Sequence, residues 1–398
     1  MIKLAILGFG IVGSGVATLL TENADVITQS AGQSLSLKSI LDLRDLSSTP
    51  YSTLQARDFN EIESDPEIQI VVECMGGKGV ALEFTKRALE AGKSVVTSNK
   101  ELIAYHGHEL FALAKKHNAH YLFEASVGGG IPIIHPLRTC LTGNHIEEIY
   151  GILNGTTNYM LTEMANNNLS FDAALKQAQE LGYAESDPSA DVEGDDAARK
   201  IAILSSLAFG THISPDSVFT TGIRNVHVSD IQITKQAGYH IKLLGHSKRL
   251  KDGSALTLVS PHLIPRTHLL SQIEGVQNAV CAKGNAVGEV LFYGPGAGKR
   301  PTASAIIADV ISIATNNAPD TLPWTSTDDN RTADFTKIPQ KWYVRCPKGG
   351  AQSLSWMKTL TTEHPDETAC ITAHISHEEL KPKLDAAEAF CAIPVLEL

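Results

Sequence analysis

A glycine-rich turn near the N-terminus constrains the fold of this chain more than any other feature. Ile2–Leu7 is a short apolar run, followed directly by Gly8-Phe9-Gly10-Ile11-Val12-Gly13 and a helix-like stretch to about Glu22. In such a strand, turn and helix, the glycines let backbone approach a pyrophosphate while the helix N-terminus faces the anion. The sequence therefore predicts a dinucleotide-binding unit, and a purely structural glycine turn is the alternative.

Apolar segments alternate with helical patterns over the residues that follow. The helical patterns cover about 79–91 and 100–117, and this alternation favours a parallel, doubly wound sheet in an α/β fold. The further strand candidates are Lys38–Leu43, Ile68–Cys74, Ser94–Thr97 and His120–Glu124.

The patterning predicts four regions. Residues 1–135 form a Rossmann dinucleotide-binding domain. Residues 136–294 form a second, α+β domain, a helix follows at about 295–315, and 316–340 form a polar linker. Residues 341–398 form a small α+β unit. Its expected elements are a strand at Trp342–Cys346, a helix near 353–363, a strand at Ala369–Ile375, a helix at 377–389 and a strand at Ile393–Leu398.

Composition excludes several classes of protein. The 398 residues carry a net charge of -11 and no basic stripe, which argues against a nucleic-acid partner. No apolar stretch reaches the length of about 18 residues that predicts a membrane span. The six cysteines are scattered, without CxxC or metal-ligand spacing. We therefore expect a cytoplasmic protein whose partners are small molecules.

Polar residues at the ends of predicted strands mark a cofactor cleft, because ligands of open α/β sheets bind there. Asp42 at the tip of the second strand would hold a ribose 2'-hydroxyl, whereas Arg44 could pair with a 2'-phosphate. The residues favour NADP and leave NAD open. Gly76 follows the third strand, and Ser98 and Lys100 follow the fourth.

An acidic segment, 180–200, leads into an apolar helix. Asp196 and Lys200 are spaced i,i+4 and share a face of a helix that begins near Gly194. A solvated ion pair is one interpretation. The other is a substrate site, because an acidic loop suits a cationic group such as an ammonium.

Several strings together resemble the homoserine dehydrogenase family, over most of residues 1–314. Their order and spacing are more specific than any one string. The strings are Gly8-Phe9-Gly10-Ile11-Val12-Gly13, Thr97-Ser98-Asn99-Lys100, Phe123-Glu124-Ala125-Ser126-Val127-Gly128-Gly129-Gly130-Ile131-Pro132, Gly151-Ile152-Leu153-Asn154-Gly155-Thr156-Thr157-Asn158-Tyr159, the 180–200 block, 284–289 and Phe292-Tyr293-Gly294-Pro295-Gly296-Ala297-Gly298.

The resemblance implies NAD(P)H-dependent interconversion of L-aspartate 4-semialdehyde and L-homoserine. It implies that Lys200, Lys100 and Asp196 are catalytic, with either lysine as the proton donor, since hydride delivery leaves negative charge on the carbonyl oxygen. The implied substrate-binding residues are Glu185, Asp191, Asp196, Lys200, Asn154 and Thr156. The implied cofactor-binding residues are Gly8, Phe9, Gly10, Ile11, Val12, Gly13, Arg44, Gly76, Ser98, Lys100, Glu289, Gly294 and Gly296.

The resemblance also implies a monovalent cation, typically sodium, near the hinge. Glu124 would contribute its carboxylate, and Val127, Gly129 and Ile131 their backbone carbonyls. From the residues alone, Glu124 could equally be a structural cap. The family resemblance further implies that residues 136–294 bind substrate and form a homodimer, or a tetramer built from dimers. It also implies that the helix at about 295–315 returns to the Rossmann domain.

The C-terminal unit departs from longer family members, which carry a βαββαβ ACT domain. At the position of the family's D-R-P-G-type turn this chain has Cys346-Pro347-Lys348-Gly349-Gly350. The predicted elements read βαβαβ, so we expect a truncated or degenerate ACT-like domain and leave feedback by threonine open.

Two other functions are consistent with a Rossmann start. A phosphorylating semialdehyde dehydrogenase needs a cysteine nucleophile, for which Cys140 is the nearby candidate. Nothing around Cys140 indicates an activated thiolate. A nucleotide-binding sensor of amino-acid levels is the second, but it has no need for Lys100, Asp196 and Lys200 in one cleft.

Overall fold

Five parallel strands in the order β2-β1-β3-β4-β5 form the first sheet, which confirms the predicted doubly wound fold. The computed structural model describes residues 1–325, 332–350, 356–362 and 364–397. Apolar residues of the central strands fill the core on both faces of this sheet. The elements of this region are β1 (Ile2–Leu7), α1 (Ile11–Glu22), α2 (Ala24–Ala31), β2 (Leu35–Leu41), α3 (Phe59–Glu63), β3 (Ile68–Glu73), α4 (Gly79–Glu90), β4 (Ser94–Thr97), α5 (Lys100–Lys116) and β5 (Tyr121–Leu122).

A six-stranded sheet in the order β11-β10-β6-β8-β9-β7 follows. Its long hairpin β8–β9 is antiparallel over the full length of both strands, and helices that carry polar site residues cover one face of the sheet. The elements are α6 (Ile134–Arg138), β6 (Ile146–Ile152), α7 (Gly155–Asn167), α8 (Phe171–Glu180), α9 (Ser189–Val192), α10 (Asp195–Phe209), β7 (Phe219–Thr220), α11 (Val228–Gln236), β8 (Tyr239–Arg249), β9 (Ala255–Pro265), β10 (Gln277–Gly284) and β11 (Gly288–Pro295).

Helix α12 (Lys299–Ala314) brings the chain back to the first sheet and packs against α1. A Cβ atom on Gly15 would lie 2.6 Å from the carbonyl oxygen of Lys299, so only glycine permits this close approach. The segment that follows is not simply an exposed linker. Trp324 is buried, with its ring centroid 4.9 Å from that of Phe111, because the aromatic side chain extends the apolar core of the first sheet.

The C-terminal region is a four-stranded antiparallel sheet in the order β13-β14-β12-β15. Its elements are β12 (Trp342–Pro347), β13 (Trp356–Leu360), β14 (Glu367–Thr372), α13 (His377–Ala386) and β15 (Cys391–Pro394). The helix expected near 353–363 is therefore wrong where the structure describes it, since 356–360 pair with β14 as a strand. Residues 353–355, 363 and 398 of the predicted elements lie outside the described residues.

This difference changes the expected count of strands in the C-terminal unit. Pairing with β14 supplies β13 with backbone partners that local propensity could not reveal. The strand judged to be missing is thus present, and the unit is not short of a strand. Within the described part of the chain, no helix combines the length and apolar composition needed to cross a bilayer.

Candidate active site

Two lysines and one aspartate form a cluster between the two larger sheets, in which Asp196 and Lys200 are buried and Lys100 is partly exposed. Asp196 Oδ2 accepts a hydrogen bond from Lys200 Nζ at 2.7 Å, and Lys100 Nζ lies 2.5 Å from Asp196 Oδ1. Lys200 Nζ also donates to the carbonyl oxygen of Leu153 at 2.8 Å. The structure thus brings together the three residues expected to be catalytic.

Local helix geometry explains how these side chains reach one point. Gly194 has φ of 93° and allows the sharp entry into α10, so that Asp196 lies in the first turn and Lys200 one turn later on the same face. Lys100 begins α5, where the side chain of Asn99 caps the helix by accepting from the backbone N–H of Leu102 at 3.2 Å. A lysine at a helix N-terminus opposes the helix dipole, and the carboxylate of Asp196 offsets that cost.

Charge within the cluster is set by burial and by these contacts. Burial alone would raise the pKa of the Asp196 carboxyl, but the adjacent Lys200 and Lys100 outweigh it and hold that pKa below its ordinary value. Burial lowers the pKa of Lys200, although Asp196 acts in the opposite direction. Asp196 is therefore ionised near neutral pH, and Lys200 is a stronger acid than a lysine in water.

Asn154 connects the cluster to a second carboxylate. Its Nδ2 donates to Asp191 Oδ1 at 2.7 Å and to Asp196 Oδ2 at 2.9 Å, while its Oδ1 caps α7 by accepting from the N–H of Thr157. Burial is the main cause of a raised pKa for Asp191, and Asn154 partly opposes it. Asp191 and Asp196 thus face one side chain that orients both.

Two other predicted substrate residues lie less centrally. Thr156 Oγ1 donates to the carbonyl oxygen of Tyr183 at 2.7 Å and so ties α7 to the acidic loop. Glu185 is exposed in that loop, and within the described residues its carboxylate forms no hydrogen bond or ion pair. Sequence reasoning missed the carbonyl of Leu153, because a backbone oxygen carries no residue-type signal.

The glycine turn leaves room for a nucleotide. A Cβ atom on Gly13 would lie 2.1 Å from the carbonyl oxygen of Gly8, whereas one on Gly10 would meet no atom within 4 Å. Helix α1 has no side-chain cap, so the N–H groups of its first turn, which includes Ile11 and Val12, are available to an anion. The residues present therefore fit the pyrophosphate of a dinucleotide.

Asp42 and Arg44 are paired with each other at the tip of β2. Arg44 Nε donates to Asp42 Oδ1 at 2.8 Å, and Asp42 Oδ2 accepts from the backbone N–H of Phe9 at 2.5 Å. The hydrogen bonds from Arg44 keep the pKa of Asp42 well below its usual range, against the effect of burial. The Arg44 side chain is 63% exposed, so it remains accessible beside the turn.

Hydrogen bonds organise the strand ends next to Lys100. The buried Glu73 accepts from Thr97 Oγ1 at 2.6 Å and from the N–H of Gly76 at 3.3 Å, and the N–H of Ser98 donates to the Glu73 carbonyl oxygen at 3.3 Å. Asn99 Nδ2 donates to the carbonyl oxygen of Gly77 at 2.8 Å. Gly76, Ser98 and Lys100 therefore lie at one edge of the sheet, as predicted from the strand ends.

Glu124 has the structural role that the residues left open. Its carboxylate accepts from the backbone N–H groups of Ile133 at 2.6 Å, Ile134 at 2.9 Å and His135 at 2.5 Å, and so caps α6. An ionised carboxylate has about four acceptor sites, so these three hydrogen bonds leave room for an ion as a further partner. No described residue donates a hydrogen bond to the carbonyl oxygens of Val127, Gly129 and Ile131, which remain available as hard oxygen donors.

The glycine loop before α6 packs tightly against the chain that returns to the nucleotide region. A Cβ atom on Gly129 would lie 2.3 Å from the carbonyl oxygen of Gly296, and the N–H of Gly130 donates to that of Pro295 at 3.1 Å. Gly294 is buried against Ile131. Gly294 and Gly296 thus lie beside the predicted cation loop, where α12 begins its return.

Glu289 lies on the edge strand β11 and contacts two neighbouring side chains. Its carboxylate accepts a short hydrogen bond from Tyr150 Oη and lies 3.2 Å from His268 Nε2. The cofactor role expected for Glu289 stays a prediction.

The cysteines lack the surroundings of an activated nucleophile. Cys140 is exposed after α6, where its Sγ lies 3.5 Å from Thr139 Oγ1. Cys74 ends β3 closer to the cofactor cleft, but burial raises the pKa of its thiol and Glu73 adds to the increase. A phosphorylating dehydrogenase, which needs a thiolate, is not favoured by either site.

Comparison with known proteins identifies one family for both large regions. Residues 8–124 match the homoserine dehydrogenase NAD-binding domain, and residues 132–311 match the homoserine dehydrogenase domain. A homoserine dehydrogenase of Lactococcus lactis is 38% identical over 373 residues, which cover 91% of this chain and 87% of that protein.

Solved structures agree with this match. The crystal structure of a homoserine dehydrogenase from Thiobacillus denitrificans has a TM-score of 0.92 at 34% identity, covering 100% of this chain and 98% of that one. A hyperthermophilic archaeal homoserine dehydrogenase in complex with NADPH has a TM-score of 0.69 at 32% identity, covering 80% of this chain and 98% of that one.

Proposed function

This chain belongs to the homoserine dehydrogenase family, and we propose that Lys200, Asp196 and Lys100 are its catalytic residues. The protein is an oxidoreductase that interconverts L-aspartate 4-semialdehyde and L-homoserine with a nicotinamide cofactor, in threonine, methionine and isoleucine biosynthesis. The observation that carries the catalytic assignment is the ion pair of Asp196 with both lysines at 2.5 and 2.7 Å.

In the direction of reduction, a nicotinamide cofactor, when bound, would supply a hydride to the carbonyl carbon of the semialdehyde. The carbonyl oxygen then gains negative charge and takes a proton from Lys200. An ammonium has three N–H groups, and Lys200 uses two of them on Asp196 and Leu153, so the third is free for the substrate oxygen. Burial, which lowers the pKa of Lys200, favours that transfer.

Lys100 and Asp196 have supporting roles in this mechanism. Asp196 holds both lysines in place through its two oxygens, and Lys100 adds positive charge near the developing alkoxide. In oxidation of homoserine the same Lys200 accepts the hydroxyl proton as a base.

The substrate amino acid is held by the second carboxylate and the acidic loop. Asp191 is oriented by Asn154 and is well placed to pair with the substrate ammonium. Thr156 supports the loop through Tyr183, and Glu185 contributes a further carboxylate from the exposed side. A carboxylate pair suits a cationic amino group because each ion pair is charge-assisted.

The cofactor is NADP in preference to NAD. Gly8, Phe9, Gly10 and the first turn of α1 receive the pyrophosphate, and the exposed guanidinium of Arg44 pairs with the 2'-phosphate of NADP. Asp42, which accepts the Phe9 N–H, is the residue that would bind the ribose of NAD instead. The archaeal homoserine dehydrogenase solved with NADPH supports this preference.

A monovalent cation, Na+, binds at the glycine loop. Its ligands are the carboxylate of Glu124, which also caps α6, and the unengaged carbonyl oxygens of Val127, Gly129 and Ile131. When bound, the ion would neutralise the carbonyl dipoles of this loop and stiffen the contact with Gly296.

The domains follow the two sheets. We assign residues 1–135 with α12 to nucleotide binding, 136–294 to substrate binding and dimerisation, and 341–398 to an ACT-like unit. Strand β11 is the edge of its sheet and leaves backbone groups open to another strand, which supports a homodimer, or a tetramer of dimers, through this sheet. All six cysteines are free thiols, which supports a cytoplasmic location.

The test is absorbance of reduced nicotinamide with L-homoserine, measured separately with NADP and NAD and with or without Na+ or K+. We expect homoserine-dependent reduction that is faster with NADP and is stimulated by Na+. Equal rates with both nucleotides would contradict the cofactor preference, and rates independent of the cation would contradict the ion site. Nucleotide binding without turnover would favour the sensor alternative.

A further inference from the structure

Helix α5 carries three side chains that face the substrate-binding region. Glu101, Tyr105 and His108 are spaced four and then three residues apart, so they share one face of the helix. Their partners come from α10 and the segment after it. The partners are Arg199 for Glu101, Asp216 for Tyr105 and His212 for His108. We call these three pairs the α5 seam.

The contacts of the α5 seam are specific and partly buried. Arg199 Nε lies 3.5 Å from Glu101 Oε1, and their side chains are only 23% and 30% exposed. Tyr105 Oη donates to Asp216 Oδ1 at 2.9 Å. The rings of His108 and His212 lie 5.1 Å apart between centroids. A salt bridge, a hydrogen bond and a ring contact therefore follow one another along the helix.

The seam lies directly beside the catalytic ion pair. Glu101 follows Lys100 in the chain, and Arg199 precedes Lys200. Lys100 of α5 pairs with Asp196 of α10. Glu101 of α5 pairs with Arg199 of α10, so each helix contributes a positive charge to one ion pair and a negative charge to the other. Any shift of α5 along α10 would disturb both pairs together.

Tyr105 also contacts the strand-end loop of the cofactor cleft. The ammonium of Lys78 lies 4.0 Å from the centroid of the Tyr105 ring, a distance that suits a cation–π contact. Lys78 directly follows Gly76 and Gly77. Tyr105 thus joins this loop, the Lys100 helix and Asp216 of the substrate-binding region.

We propose that Glu101, Arg199 and Tyr105 are positioning residues that hold Lys100 against Asp196 across the two regions. This inference rests on the proposed catalytic role of that ion pair. Lys100 has a flexible side chain that is 36% exposed, so its own packing does not fix its ammonium. The relative position of α5 and α10 fixes the ammonium of Lys100 instead. Misplacement of a catalytic group by about 1 Å can lower a rate by about 100-fold.

Charge exchange tests the salt bridge of the seam. We expect Glu101→Arg and Arg199→Glu each to lower kcat by about tenfold, because each places like charges together. The double variant forms the ion pair again with its two charges exchanged. It should return kcat to within about threefold of the wild type. The Kd of NADPH, followed by fluorescence, should change by less than about twofold in all three.

The matched control is Arg57→Glu, which disrupts an i,i+4 pair with Glu61 whose side chains are 91% and 49% exposed. Thermal unfolding of every variant separates lost positioning from lost folding. Single variants with wild-type kcat, or a double variant no better than the singles, would overturn the proposal.

Tyr105→Phe is the milder second variant, since it removes only the hydroxyl that donates to Asp216. It should lower kcat about threefold to tenfold, with an unchanged melting temperature. Unchanged kcat would remove Tyr105 from the seam.

Lys100→Met distinguishes this inference from the proposed function on which it rests. If Lys100→Met keeps the wild-type rate, the catalytic role of the lysine is wrong. If the kcat of Lys100→Met falls about 100-fold while the double charge exchange restores none of the lost kcat, only the positioning role of the α5 seam is wrong.

Discussion

Lys100 Nζ and Asp196 Oδ1 lie 2.5 Å apart, although the two residues belong to the first turns of helices in different regions of the protein. One helix follows a strand of the nucleotide-binding sheet, and the other packs on the substrate-binding sheet. The catalytic cluster therefore exists only when the two regions are assembled. Five predictions follow from its charges and from the residues around it.

Lys200→Ala should lower kcat about 100-fold or more, because the proposed proton donor is lost. Lys176→Ala is the matched control, since Lys176 is 77% exposed on α8. Initial rates of homoserine oxidation and semialdehyde reduction measure the effect. A rate within about threefold of the wild type would remove Lys200 from the mechanism.

The rate of reduction should depend on the ionisation of Lys200. Burial lowers its pKa from the ordinary value of 10.5, and the protonated form is the proton donor. We therefore expect kcat for reduction to fall as pH rises through this lowered pKa, and kcat for oxidation to rise. Lys200→Arg should lack this transition because arginine stays protonated. If the wild type and Lys200→Arg show the same pH transition in kcat, the transition belongs to another group.

Asp191→Asn should raise the KM for homoserine about tenfold, with a smaller change in kcat, because the charge that pairs with the ammonium is lost. Glu185→Ala should also raise the KM for homoserine, but by a smaller factor, since Glu185 is exposed. Glu180→Ala is the control from the adjacent helix end. If KM is unchanged in Glu185→Ala, that residue does not bind the ammonium.

Arg44→Ala should lower the ratio of kcat/KM for NADP to that for NAD about tenfold. Loss of the guanidinium leaves Asp42 unpaired, and its carboxylate then repels a 2'-phosphate. Arg57→Ala controls for removal of an exposed arginine. An unchanged ratio would mean that neither residue sets the preference.

Glu124→Ala should lower the free energy of unfolding by about 3 kcal/mol, because two buried N–H groups and one partly buried N–H group lose a charged acceptor. Urea titration measures the change. Glu90→Ala, at an exposed helix end, should change it by less than about 0.5 kcal/mol. A similar small change in Glu124→Ala would be evidence against the capping role.

Features that depend on neighbouring residues could be predicted from the sequence. The glycine turn, its flanking strand and helix, and the shared face of Asp196 and Lys200 all follow from short-range periodicity. Strand ends also placed Gly76 and Ser98 at one edge of the sheet.

One prediction was wrong because the decisive contacts are distant in sequence. The segment 356–360 resembles a helix locally, yet β14 pairs with it and makes it a strand. The hydrogen bonds of Glu124 to the start of α6 and of Glu289 to Tyr150 likewise join residues that no local pattern relates.

The sequence by itself determined the nucleotide-binding turn and the pairing of Asp196 with Lys200, because each rests on spacing within a few residues, and it determined the family through the order of several strings along residues 1–314. Only the tertiary structure decided that Lys100 contacts Asp196, that Asn154 orients both carboxylates and that α5 meets α10 and the segment after it along three pairs. Those contacts arise when the two larger sheets and their helices pack together, and the free energy of that packing depends on surfaces that no local pattern specifies.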